Sequence, residues 1–74
     1  MISPELHDVP IAALEEFGFN VRYFSILEDR MGAIYLGQLS GFTRRALLEQ
    51  SNVGEGLVKD LENSIKAYKA AHGL

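Results

Sequence analysis

The chain contains no cysteine, and its two histidines, His7 and His72, lie near opposite ends of the sequence. The absence of cysteine excludes a disulfide, and two distant histidines do not form the spaced ligand set of a structural zinc site. We therefore predict no metal and no cofactor. A domain of 74 residues without these two staples is expected to gain part of its stability by associating with another chain.

Long apolar runs are also missing. The longest, VPIAAL at residues 9–14, is about six residues long, whereas a membrane-spanning helix needs about 20 and a signal peptide has a longer apolar core. We therefore expect no contact with a membrane and a cytoplasmic location, with which the lack of cysteine agrees.

The sequence lacks the usual patterns of reaction chemistry. It has no cysteine nucleophile and no G-x-S-x-G turn, and a Ser–His–acid set would have to recruit a histidine from one end of the chain. The carboxylate pairs Glu15–Glu16 and Glu28–Asp29 are sequence neighbours in predicted surface positions, where adjacent acids are solvated and do not form the buried pair that acid–base catalysis needs. Glu5, His7 and Asp8 do not match a metal-binding spacing. We predict that the protein is not an enzyme and has no catalytic residues.

The composition is that of a folded globule, because 47% of the residues are hydrophobic and 23% are charged. The net charge of −3 argues against a strongly electrostatic binder of nucleic acid. The acids are concentrated in residues 1–40, which carry six acids and only two arginines, whereas residues 41–74 carry five bases and four acids. Any contact with DNA is therefore expected in the C-terminal half.

Helical patterns occur at both ends of what we predict to be one domain, residues 1–74. After an extended arm at residues 1–7, a helix is predicted from Val9 to Phe17, because Asp8 can cap it and Gly18 can end it in a left-handed conformation.

Two further helices are predicted in the C-terminal half. Thr43 or Ser40 caps residues 44–50, and the second helix covers residues 55–71. Its apolar side chains recur at spacings of three and four residues; they are Leu57, Val58, Leu61, Ile65 and Tyr68.

Between these helices, FNVRYFSIL and AIYLGQL are rich in β-branched and aromatic residues and are separated by EDRMG, in which Gly32 can take a positive φ. This pattern predicts an antiparallel β-hairpin between Phe19 and Leu39. The fold class is then α+β, in the order α-β-β-α-α, with the hairpin packed by helices. Both faces of such a hairpin are apolar, so both need cover. Either the two long segments of the chain cover one face each, or a second copy of the chain or another protein covers one face.

The function expected from these observations is that of a non-enzymatic regulatory, adaptor or inhibitor module that acts by protein contact, as a homodimer. Its interface anchors are expected among the aromatic and large apolar residues of the hairpin, which are Tyr23, Phe24, Ile26, Tyr35 and Leu36. An acidic patch is expected to favour a basic partner; its members are Glu15, Glu16, Glu28 and Asp29.

Two alternatives remain open. Residues 43–68 could form a helix-turn-helix that binds DNA, with Arg44, Arg45 and Lys59 as contacts, although Glu55, Asp60 and Glu62 on the second helix would repel phosphates. The glycines of the Gly54–Gly56 turn could expose amides to an anion, but a turn between two helices is the favoured explanation for them.

Overall fold

A computed structural model of the protein describes residues 2–74. This part of the chain is 64% helical, and its only β pairing is an isolated antiparallel bridge between Pro10 and Tyr35. The three α-helices are α1 (Val21–Met31), α2 (Arg44–Leu48) and α3 (Glu55–Ala71). Three short 3₁₀ helices accompany them, at Pro4–Leu6, Ile11–Phe17 and Leu36–Leu39.

The predicted α+β fold with its hairpin is therefore wrong, because the first expected strand is the helix α1. The side chain of Asn20 accepts a hydrogen bond from the amide of Arg22 and so caps the start of α1. Gly32, at φ 63°, ends the helix instead of closing a hairpin loop. In place of the second expected strand, residues 33–35 lack regular secondary structure, with Tyr35 in an extended conformation, and the 3₁₀ helix Leu36–Leu39 follows.

The apolar residues of α1 explain why the helix forms. Leu27 is fully buried, and Tyr23, Phe24 and Met31 are half-buried against the core. These positions are separated by three and four residues, which places them on one side of a helix. Because α1 is buried on that side only, its charged residues Glu28 and Asp29 remain exposed to solvent.

The N-terminal segments also differ in detail from the prediction. The helix expected from Val9 is a 3₁₀ helix that begins at Ile11, and Asp8 does not cap it. Its end is as predicted, since Gly18 has a φ of 97°. Within residues 2–7, Pro4–Leu6 form one 3₁₀ turn, and Ile2 and Leu6 are buried in the core; Met1 lies outside the described residues.

The C-terminal helices were predicted more accurately. α3 has the predicted bounds, and its stripe is buried at Leu57, Val58, Leu61 and Ile65. α2 begins after Thr43, whose hydroxyl accepts a hydrogen bond from the amide of Ala46 at 3.1 Å, and ends two residues earlier than expected.

One hydrophobic core joins all these elements. Its buried members are Ile2, Leu6, Ile11, Leu14, Phe19, Leu27, Ala33, Leu36, Leu39, Leu47, Val53, Leu57, Val58, Leu61 and Ile65. The buried hydroxyl of Ser64 donates to the carbonyl oxygen of Asp60 at 2.6 Å, which satisfies a polar group within the core. Among residues 2–74, no helix is both long and apolar enough to cross a lipid bilayer.

Gly37 is a point of close approach between two segments of backbone. Its amide donates to the carbonyl oxygen of His7 at 3.1 Å. A methyl group on Gly37 would lie 2.7 Å from that same oxygen, which is closer than real contacts allow. The residue must therefore be glycine for these segments to pair.

We predict that Gly37→Ala lowers the free energy of unfolding by about 1–3 kcal/mol, because the new methyl group forces the paired segments apart. Urea denaturation, monitored by circular dichroism, measures this change in the free energy of unfolding. Gly41→Ala is the matched control, since nothing lies within 4 Å of its added methyl group, and it should leave stability unchanged or slightly raised. Equal stability of the two variants would contradict the close approach at Gly37.

Candidate functional site

Residues 33–35 lead into the 3₁₀ helix Leu36–Leu39. Backbone hydrogen bonds to residues 9–11 hold this part of the chain in place. The amide of Ile11 donates to the carbonyl oxygen of Ile34 at 2.8 Å, and the amide of Leu36 donates to that of Val9 at 2.9 Å. These bonds fix the backbone on both sides of Tyr35.

The side chain of Gln38 holds the same segment from its other side. Its oxygen accepts hydrogen bonds from the amides of Ile34 and Tyr35 at 2.7 and 2.8 Å, and its nitrogen donates to the carbonyl oxygen of Gly32 at 3.2 Å. We call this arrangement the Gln38 clamp. It satisfies three backbone groups that no regular secondary structure would satisfy.

The clamped segment presents two large apolar side chains to solvent. Ile34 is 53% exposed and Tyr35 is 48% exposed, whereas their neighbours Ala33 and Leu36 are buried. A small cavity of about 120 Å³ opens beside Ile34, and its other lining residues are Ile11, Ala12, Phe24, Glu28 and Ala33. We call this region, with Tyr35, the Ile34–Tyr35 surface.

The five predicted interface residues are divided by the structure. Tyr35 lies on the Ile34–Tyr35 surface and Phe24 lines its cavity. Leu36 is fully buried, so it belongs to the core. Ile26 and Tyr23 are half-buried on α1, and the hydroxyl of Tyr23 lies next to Gly56.

Ile34 was not named as an anchor from the sequence, although it is more exposed than Tyr35. No local signal identifies it, because its exposure depends on the pairing of residues 34–36 with residues 9–11.

The predicted acidic patch lies partly on this surface. All four of its carboxylates are exposed, and Glu28 lines the cavity. Glu15 follows Ala12 by three residues in a 3₁₀ helix, a spacing that places both on the same side. Glu28 is the only charged residue among those that line the cavity, so the Ile34–Tyr35 surface has an acidic border.

The predicted DNA contacts lie in a different environment. Arg44 donates two hydrogen bonds to Glu55, at 2.6 and 3.2 Å, and one to Glu62 at 3.3 Å. Two carboxylates on α3 therefore surround its guanidinium, which ties α2 to α3. Arg45 is largely solvated and lies 3.6 Å from Glu49, and Lys59 is exposed.

The ion pair between Arg44 and Glu55 changes the pKa values of both groups. The hydrogen bond from Arg44 holds the pKa of Glu55 below its ordinary value, and the bond to Glu55, followed by that to Glu62, raises the pKa of Arg44. Arg44 therefore stays charged, but with its charge matched inside the protein. A phosphate would have to compete with two carboxylates for it.

The remaining candidates occupy structural positions. Gly54 is the N-cap of α3, the carbonyl oxygen of His7 accepts the Gly37 amide, and the ring of His72 stacks on Tyr68 at 4.1 Å. Among residues 2–74, no three histidine, aspartate or glutamate side chains are grouped so that they could hold a metal ion.

Comparisons with protein-family models, with curated proteins and with solved structures gave no match for this chain.

We predict that Gln38→Ala lowers the free energy of unfolding by about 1–2 kcal/mol, because it removes three exposed hydrogen bonds. Amide hydrogen exchange, measured by NMR, should speed up relative to the wild type, and the increase should be larger at Ile34 and Tyr35 than at other amides. Gln50→Ala is the control, because this glutamine lies outside the clamp. Unchanged exchange at both amides would show that the clamp does not hold the segment.

The Arg44–Glu55 pair predicts a specific pH dependence. Because folding lowers the pKa of Glu55, the pair stabilises the folded state above the ordinary pKa of a glutamate, and this contribution is lost as the pH falls through the lowered value. The urea midpoint of Glu55→Gln should therefore lie below that of the wild type at neutral pH and converge with it in acid.

Glu49→Gln is the control for this experiment, since its single 3.6 Å contact with Arg45 is longer and more exposed than the two-bond pair of Arg44 with Glu55, and such contacts contribute little. A difference between wild type and Glu55→Gln that stays constant from about pH 7 to about pH 2.5 would contradict the linkage.

Proposed function

We propose that the protein is a small non-enzymatic regulatory or adaptor module that binds another protein through the Ile34–Tyr35 surface. The observation that supports this proposal is the exposure of two adjacent large apolar side chains on backbone that is fixed from both sides. Ordering such a surface in a complex costs little conformational entropy, because the segment is already held before binding. Tyrosine is also one of the residues enriched at the energetic centres of interfaces.

The acidic border suggests the chemistry of the partner. Glu28 at the cavity and Glu15 beside it favour a partner whose apolar contact residues are flanked by lysine or arginine. Opposite charges at the rim of an interface contribute more to association rate and to selection than to affinity. We extend the proposal to a cytoplasmic setting, with which a chain lacking cysteine is compatible.

Binding of DNA through α2 and α3 is the alternative. Arg45 and Lys59 are exposed and would be available to phosphates. The pairing of Arg44 with Glu55 and Glu62 opposes this function, because it removes one of the three predicted contacts and places two acids beside it. We therefore favour protein contact.

The proposal can be tested by affinity capture from a lysate of the source cells, with binding then measured on the purified partner. Replacing both anchors, Ile34→Ser with Tyr35→Ser, should weaken the partner's binding by about 30-fold or more, as expected when residues at the centre of an interface are truncated. Val21→Ser is the matched control, because Val21 is a 56% exposed apolar residue outside this surface. It should bind like the wild type.

Two outcomes would contradict the proposal. One is that every captured protein binds the double variant with the same affinity as the wild type. The other is that duplex DNA binds with a steep dependence on salt and that this binding is lost in Arg45→Ala and Lys59→Ala, which would move the function to the C-terminal helices.

A further inference from the structure

The small cavity of the Ile34–Tyr35 surface has the size of a site for one slender side chain. Its volume is about 120 Å³, which is below the range of roughly 300–1,000 Å³ that encloses small ligands. Because a water molecule takes up about 30 Å³ in the liquid, the cavity holds about four groups of that size. A straight chain of methylene groups matches this space.

The walls of the cavity are apolar except at one point. Three segments of the chain meet there and contribute two residues each: Ile11 and Ala12, Phe24 and Glu28, and Ala33 and Ile34. Because Phe24 and Glu28 are four residues apart on α1, they lie on the same side of that helix. The one charged group of the lining therefore comes from the same side of α1 as the ring of Phe24.

Glu28 has no basic partner within the protein. Among residues 2–74, the ion pairs are those of Arg44 and Arg45, and none of them includes Glu28. The side chain of Glu28 is also exposed, so its carboxylate is accessible from solvent at the cavity.

The two arginines of α1 do not offset this charge. Arg22 lies six residues before Glu28 and Arg30 lies two residues after it, and these spacings place both on other sides of the helix. Arg30 has a partner of its own in Asn52. With the amide of Asn52 oriented so that its oxygen faces the guanidinium, that oxygen accepts two hydrogen bonds from Arg30, at 2.7 and 3.2 Å.

The other two segments that line the cavity contain no base. Residues 11–17 include only the acids Glu15 and Glu16, and residues 33–39 have no charged side chain. The cavity thus combines apolar walls with an uncompensated negative charge, which favours a cationic group over a neutral or anionic one.

We propose that this cavity binds the side chain of one lysine of the partner protein, with the methylene stem against the apolar walls and the ammonium group beside Glu28. This inference rests on the proposed function, because it names the residue by which the same surface recognises its partner. Lysine carries a compact charge at the end of an unbranched apolar stem. Because Glu28 is exposed, the ammonium group pairs with it while staying partly hydrated, which avoids the cost of burying a charge.

Lysine fits this cavity better than arginine does. The lysine side chain has four methylene groups before its charge, which matches a space for about four water-sized groups. The arginine side chain has three, followed by a planar guanidinium that is wider than the stem.

NMR titration of the isotope-labelled chain with amino-acid derivatives tests this assignment. The probes are the Nα-acetyl methylamides of lysine, norleucine and arginine at matched ionic strength; norleucine has the four-carbon stem without the ammonium group. The lysine probe should shift the amides of Ala12, Glu28 and Ala33 with a dissociation constant of about 10 mM, as expected for a single side chain. It should bind about three- to fivefold more tightly than the norleucine probe, which is the contribution of an exposed ion pair.

Glu28→Gln tests the role of the carboxylate. This variant should lose the preference for lysine over norleucine and should bind the norleucine probe like the wild type. Asp29→Asn is the matched control, because Asp29 is the next exposed carboxylate of α1 and does not line the cavity. It should keep the preference, and unfolding midpoints verify that both variants are folded.

Ala12→Leu tests the cavity itself. Ala12 is exposed and lines the cavity, so a larger side chain at this position should fill the space and weaken binding of the lysine and norleucine probes by about tenfold or more, since both lose their apolar contacts. Ala67→Leu is the control, because Ala67 is an exposed alanine of α3 outside the cavity. It should bind both probes like the wild type.

The inference would be overturned by three results: no shift of these amides with the lysine probe up to about 100 mM, the same preference in Glu28→Gln as in the wild type, or tighter binding of the arginine probe. None of these results affects the proposed function, because capture of a partner through Ile34 and Tyr35 is measured separately. Conversely, if the lysine probe binds as expected but no captured protein depends on Ile34 and Tyr35, the lysine site stands and the proposed function fails.

Discussion

Three backbone hydrogen bonds between residues 7–11 and residues 34–37 hold together parts of the chain that are distant in sequence. They join Gly37 to His7, Leu36 to Val9 and Ile11 to Ile34. Ala33 and Leu36, which flank Ile34 and Tyr35 in the sequence, are buried in the core. Ile34 and Tyr35 themselves lie at the surface, with their side chains about half exposed. The candidate binding surface is thus a consequence of this pairing and of the Gln38 clamp that completes it.

The sequence predicted the helices at the two ends better than the middle of the chain, for a physical reason. In α3, charged, polar or small residues occupy the positions outside the apolar stripe, so the helical period fits best. Between Phe19 and Leu39, apolar residues occur at so many positions that strand and helix periods fit equally well. The local signals that decide between them are Asn20 and Gly32, which lie at the two ends of α1 as its N-cap and C-cap.

The candidate site was predictable only in part. Tyr35 was named because aromatic residues are frequent in interfaces, and Leu36 was named on the same hairpin model although it is buried. Which side chains of an extended segment are exposed depends on the segment that pairs with it, and a pairing between residues about 25 positions apart leaves no local pattern. An acidic patch was predicted from charge alone, with Glu15 on a helix surface and Glu28 in the hairpin loop; both side chains are exposed, although Glu28 lies on a helix.

The C-terminal helices show how two opposite tendencies in the sequence are resolved. Arg44 was considered as a contact for phosphate, and Glu55 and Glu62 as residues that would repel it. In the structure Arg44 binds both Glu55 and Glu62, so these charges join α2 to α3 and the positive charge of Arg44 is matched by carboxylates of the same chain. The remaining basic side chains of residues 41–74 are Arg45, Lys59, Lys66 and Lys69, and the last three lie on α3.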